Sequence, residues 1–88
     1  MIKQAITIQN KLGLHARAAM KFSDLATKFR ASVSLTKDDR CIDAKSIMEV
    51  MVIGASIGTE VILQADGPDE QNAIDQLCQM INDKFGED

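Results

Sequence analysis

The stretch Ala31–Ala55, "ASVSLTKDDRCIDAKSIMEVMVIGA", decides the fold. Its first half has strand period: Ala31, Val33 and Leu35 alternate with Ser32, Ser34 and Thr36 over 31–37. The polar run "KDDR" at 37–40 reads as a hairpin turn, and "CIDA" at 41–44 as a short return strand. The period then changes. Ser46, with Glu49 three residues on, reads as a capping box ahead of an apolar run. Gly54 reads as the stop, so the stretch closes with a helix of about two turns.

Working outward, "IKQAITI" at 2–8 alternates with Ile2, Ile6 and Ile8 on one face, which predicts a first strand. Asn10 to Gly13 supplies a turn. Ala19, Phe22, Leu25, Ala26 and Phe29 then recur at helical spacing opposite Lys21, Asp24 and Lys28, which predicts a helix over 16–28. Beyond the central stretch, "TEVILQA" at 59–65 predicts a strand with Val61, Leu63 and Ala65 inward. Asp66-Gly67 ends it. Pro68 and Asp69 open a last helix whose buried stripe is Ala73, Ile74, Leu77, Cys78 and Ile81. The order β-α-β-β-α-β-α predicts an α+β fold, an open-faced two-layer β-sandwich. Its four-stranded antiparallel sheet would be covered on one face by three helices, with a polar face toward water. A ferredoxin-like split βαβ is the neighbouring arrangement, and the short middle helix disfavours it. With 88 residues and no repeat or linker, the chain reads as a single domain, 1–88.

The net charge of −3 argues against a nucleic-acid binder, because neutralising phosphates needs a basic surface. No apolar run approaches the length of a membrane span. The alternating, polar start is no signal peptide, so a cytoplasmic location is expected. With three Phe and no Trp or Tyr, the core must be aliphatic. Cys41 and Cys78 match no zinc or CxxC spacing and read as small apolar gap-fillers. A single histidine and no paired cysteines leave no metal set, and no Walker pattern marks a nucleotide site. No cofactor is expected.

"NKLGLHARAA" at 10–19 holds the only histidine, placed where the first helix should begin. His is a poor N-cap by the usual ranking, so the N–H groups of Ala16, Arg17 and Ala18 are left without an intrachain partner. A helix start also favours an anion. Arg17 adds a permanent cation with a planar fork of donors, and Gly13 permits a sharp turn. A nucleophile, free donors and a cation within five residues fit a histidine that accepts a phosphoryl group and passes it on. An imidazole is already partly neutral at cytosolic pH.

"NKLGLHARAA", followed by "DAKSIMEVMVIGAS" and "GTEVILQADGPDE", resembles HPr, the histidine-containing phosphocarriers of the bacterial phosphotransferase system. The resemblance runs over nearly the whole chain. It implies the open-faced sandwich already derived. It also implies transfer from enzyme I, itself charged by phosphoenolpyruvate, to Nδ1 of His15, and from there to IIA domains, with Arg17 neutralising the phosphoryl charge. A protein that passes on its own covalent phosphate is a stoichiometric carrier and not an enzyme. The family commonly has proline after the arginine. Here Ala18 keeps an N–H that proline would lack.

Ser46 is sufficiently explained as an N-cap worth about 1 kcal/mol. The resemblance adds regulatory phosphorylation there by an HPr kinase/phosphorylase. Met20, Ile47, Met48 and Met51 cannot all be core once Val50 and Ile53 fill the inward face of a short helix. They are expected to form an exposed apolar docking patch for enzyme I and IIA domains, with Lys45 and Arg17 making it locally positive. Two other functions share these features: the nitrogen-related paralogue of HPr in a regulatory relay, and an interaction module that transfers nothing. His15 and Arg17 argue against the second of these. A monomer, without nucleic acid or membrane insertion, completes the expectation.

Overall fold

A computed structural model describes residues 1–87; Asp88, the last residue of the expected 1–88 domain, lies outside the described residues. The elements are β1 (Ile2–Thr7), α1 (Ala16–Ala26), β2 (Ser32–Lys37), β3 (Arg40–Asp43), α2 (Ile47–Ile53), β4 (Glu60–Asp66) and α3 (Glu70–Asn82). A 3-10 turn, Lys84–Gly86, follows them. The four strands form one antiparallel sheet in the order β1-β4-β2-β3, as the alternating patterns require. The register pairs Val33 with Ala65 and Leu35 with Leu63 and Ile42, so the inward side chains of the three inner pairings lie on one face. That face carries the helices. The other carries Ser32, Ser34, Gln64 and Asp66, a polar surface facing water. No helix among the described residues is long and apolar enough to cross a membrane.

The core is aliphatic around Phe22 and Phe85, whose rings meet edge to face with centroids 6.4 Å apart. Ala18, Ala19, Phe22 and Ala26 bury one stripe of α1, and Ala73, Ile74, Leu77 and Ile81 bury that of α3. α1 stops two residues short of the expected end at 28. The Thr27 hydroxyl bonds the Asp24 carbonyl at 2.8 Å, and Phe29 N–H closes a tighter turn onto Ala26 O. Phe29 still reaches the core, because the turn that ends the helix points its ring inward. Cys78 is half-buried, and burial, with Asp75 nearby, pushes its thiol above its ordinary value. Cys41 fills no gap. It is exposed, because it pairs with Thr36 on the outward face, one residue out of phase with inward Ile42.

α2 ends at Gly54, whose left-handed backbone (φ 65°, ψ 35°) turns the chain back under α1. α3 is tied to β2 by one carboxylate. Asp69 accepts the N–H of Arg30 at 2.9 Å and of fully buried Ala31 at 2.8 Å. These amides, Arg30's first, hold the Asp69 carboxyl below its ordinary value. A lowered folded value adds stability above the unfolded value of about 3.8, which is lost as pH falls through the folded one. Asp69→Asn is therefore expected to lower Tm at neutral pH and to flatten its fall below the carboxylate range. Thermal melts against pH check this, and parallel acid limbs in the two proteins would refute it.

Candidate functional site

The site begins with Gly13. Its backbone is left-handed (φ 64°), and a Cβ there would lie 2.4 Å from the Ala55 carbonyl oxygen and 2.9 Å from Ser56 Cα. Only glycine permits this approach. It lets Leu14 N–H reach Ala55 O at 2.9 Å, which fixes the entry of α1 against the exit of α2. His15 follows in extended backbone (φ −76°, ψ 179°) as the N-cap residue, and its side chain makes no capping bond. The first bond of α1 runs from Ala19 N–H to His15 O at 2.8 Å. The N–H groups of Ala16, Arg17 and Ala18 thus have no acceptor among the described residues, as the sequence suggested. The methyl of Ala18 is fully buried. The Arg17 side chain is exposed and makes no hydrogen bond or ion pair among the described residues.

The ring of His15 is held from its far side. Both carboxylate oxygens of Glu87 lie 2.9 Å from Nε2, with the His15 side chain 25% exposed and that of Glu87 15%. Nδ1 makes no hydrogen bond among the described residues. Behind Glu87 stands Asn10, fully buried, whose Nδ2 donates to Glu87 Oε1 at 2.6 Å and to Gly13 O at 2.8 Å. Its Oδ1 has no partner among the described residues. A buried acceptor left so costs about 1–3 kcal/mol. The sequence reading took Asn10 for a turn residue and gave Glu87 no role. The available signal was Phe85, one aromatic in a polar tail, which marks a tail that packs.

Met20, Ile47, Met48 and Met51 are all exposed, Met48 most (73%), while Val50 and Ile53 are buried as expected. They stand on α1 and α2, which pack on each other. Leu12, Val52 and Ile57 are exposed apolar side chains as well. Lys45 keeps its charge but is held in place, because its ammonium donates to the Phe29 carbonyl at 2.8 Å. The capping box is half formed. Ser46 Oγ accepts Glu49 N–H at 3.3 Å, but Glu49 Oε1 accepts from Asp43 N–H. The reason is that Ser46 N–H is already used by Asp43 O at 3.1 Å.

A family model described as the phosphorylation site of the phosphotransferase system HPr component matches residues 2–83. Phosphocarrier protein HPr of Cupriavidus necator is 51% identical over 87 residues, covering 99% of this chain and 98% of the relative. The structure of an HPr from Thermoanaerobacter tengcongensis superposes with a TM-score of 0.96 at 45% identity, covering 100% of this chain and 99% of that one. Crh of Bacillus subtilis, described as a dimer with a swapped domain, superposes at 0.77 with 40% identity over 96% of this chain and 97% of that one. By class, the molecule is a phosphocarrier of the phosphotransferase system. The chain belongs to the HPr family. A swapped dimer within such close relatives stands against reading the monomer as a general property of this fold.

Proposed function

We propose that the chain accepts a phosphoryl group from enzyme I on Nδ1 of His15 and passes it to IIA domains, as a stoichiometric carrier that turns over nothing else. The observation that carries this reading is the vacant cap of α1. A ring nitrogen without a partner stands at a helix start whose three leading N–H groups also lack one among the described residues. The lone pair of Nδ1 forms the bond to phosphorus as the bond to the donor atom of enzyme I breaks, and that electron pair stays with the donor. The amides of Ala16, Arg17 and Ala18 and the Arg17 guanidinium then receive the charge on the transferred oxygens. The cytoplasm is where such a carrier meets both partners and exchanges one for the other.

Incubation with phosphoenolpyruvate, magnesium and a cognate enzyme I is expected to place one acid-labile phosphate on His15 and none on His15→Ala. A folded wild type that stays unphosphorylated would overturn the reading.

The apolar surface of Met20, Ile47, Met48 and Met51 is the docking face for both partners. Flexible, polarisable side chains suit a surface that must fit more than one protein. Met48→Asp is expected to raise the KM for phosphorylation by enzyme I while leaving Tm unchanged, because Met48 is not part of the core. An unchanged KM would remove Met48 from the face.

Ser46 is the regulatory site. Glu49 is engaged with the Asp43 amide, so a phosphate on Oγ breaks no reciprocal pair. It gains the donors of a helix start beside the docking face, where it would oppose partner binding. Treatment with ATP and a cognate HPr kinase/phosphorylase, followed by mass spectrometry, is expected to find phosphate on Ser46 and slower transfer through His15. Modification elsewhere, or none, would refute this.

A further inference from the structure

We infer that Glu87 is a positioning residue for the phosphoryl-accepting histidine: its carboxylate holds the hydrogen on Nε2 of His15 and so presents the lone pair on Nδ1. This rests on the proposed function and deepens it.

A carboxylate only accepts hydrogen bonds. With both Glu87 oxygens 2.9 Å from Nε2, that nitrogen must carry the hydrogen. A neutral imidazole protonated on Nε2 has its lone pair on Nδ1. The bond that one ring nitrogen makes therefore selects the nucleophilic atom of the other. A carboxylate facing the incoming phosphoryl oxygens would repel them, but this one meets the ring at the far nitrogen.

The carboxylate is itself held in place. Asn10 Nδ2, buried and oriented by the Gly13 carbonyl, grips Glu87 Oε1. The segment leading to Glu87 is locked as well. Lys84, Phe85 and Gly86 run in succession through left-handed backbone, at φ 58°, 56° and 75°. Two of them are not glycine, and such residues rarely adopt this region without a compensating contact. The compensation is visible. The Phe85 ring is buried against Phe22, and its carbonyl accepts Lys21 Nζ at 2.9 Å. A segment with no task would not need this path, and its end point is the imidazole.

The contact also suits the charge change. As Nδ1 bonds phosphorus and the donor leaves with its electron pair, the ring becomes cationic with the Nε2 hydrogen in place. Glu87 faces that cation directly. When the phosphoryl group departs to an acceptor, the pair returns to Nδ1 and the ring is neutral again. No proton is gained or lost in either direction, so no general base is required.

The test uses the full chain with Glu87→Ala and Glu87→Gln. Ring 15N shifts read the tautomer, and phosphorylation by phosphoramidate reads the histidine chemistry without a docking partner. Glu87→Ala is expected to lose the protected Nε2–H resonance, mix the tautomers and slow phosphorylation about tenfold or more, the size of loss seen when a metal-bound histidine loses the partner of its other ring nitrogen. With enzyme I the loss falls on kcat and not on KM. Glu87→Gln keeps an oxygen acceptor but no charge, so it should keep the tautomer and recover the rate only in part. Ring shifts and rates in Glu87→Ala equal to wild type would overturn the inference. A wild type that takes no phosphate would overturn the proposed function instead, and the tautomer measurement would still decide the role of Glu87.

Discussion

The backbone of Gly13 lies against that of Ala55 with no room for a side chain between them, and the site depends on it. A side chain at position 13 would strike the Ala55 carbonyl. Because none is there, the same carbonyl can accept Leu14 N–H and fix where α1 starts. Ala55 is in reach because Gly54 turns the chain sharply at the end of α2. Two glycines in left-handed backbone, one from each segment, thus join the entry of one helix to the exit of another. His15, the free amides behind it and the methionines of the two helices then share one side of the fold. The geometry is set by backbone, which changes less with packing than side chains do.

Most of the fold was legible because each element has a strong period. Val33 and Leu35, Val61, Leu63 and Ala65, and the α1 and α3 stripes are buried where alternation or helical spacing puts them, except that Leu25 and Cys78 are only partly covered. The errors have local causes. The end of α1 was placed late because Phe29 keeps the apolar phase after the backbone has left the helix. The capping box was read from spacing, which cannot show that Ser46 N–H is already taken by Asp43. Sequence does not reveal that the Lys45 ammonium also donates to a carbonyl near the end of another helix. At the site, the histidine, the arginine and the free donors follow from local sequence. Glu87 and Asn10 do not, because their meeting spans 77 positions and depends on how the segment after α3 folds back.

That segment shows how a weakly stabilised feature is retained. Each non-glycine residue in left-handed backbone costs on the order of 1–3 kcal/mol. Burying one phenylalanine offsets about 1.5–3 kcal/mol, and the Lys21 bond to the Phe85 carbonyl adds to that. The uncapped start of α1 is a further cost of about 1 kcal/mol. The well-packed aliphatic core, with Leu35, Val61, Leu63, Leu77 and Ile81 essentially inaccessible, can sustain such local losses.

The bare face of the sheet has its own consequence. Among the described residues it presents Ser32, Ser34, Gln64 and Asp66, with Ile62 half-buried beside them, whereas exposed Met20, Ile47, Met48 and Met51 stand on the helices. Under the proposed function, donor and acceptor dock on the same, helix-covered side of a molecule only 33 × 27 × 21 Å in extent. Two partners docked on that one face would exclude one another, and each transfer would be completed by dissociation before the next begins. The flux such a shuttle carries is then set by its off-rates and by how many copies circulate, so tight binding to either partner would slow it.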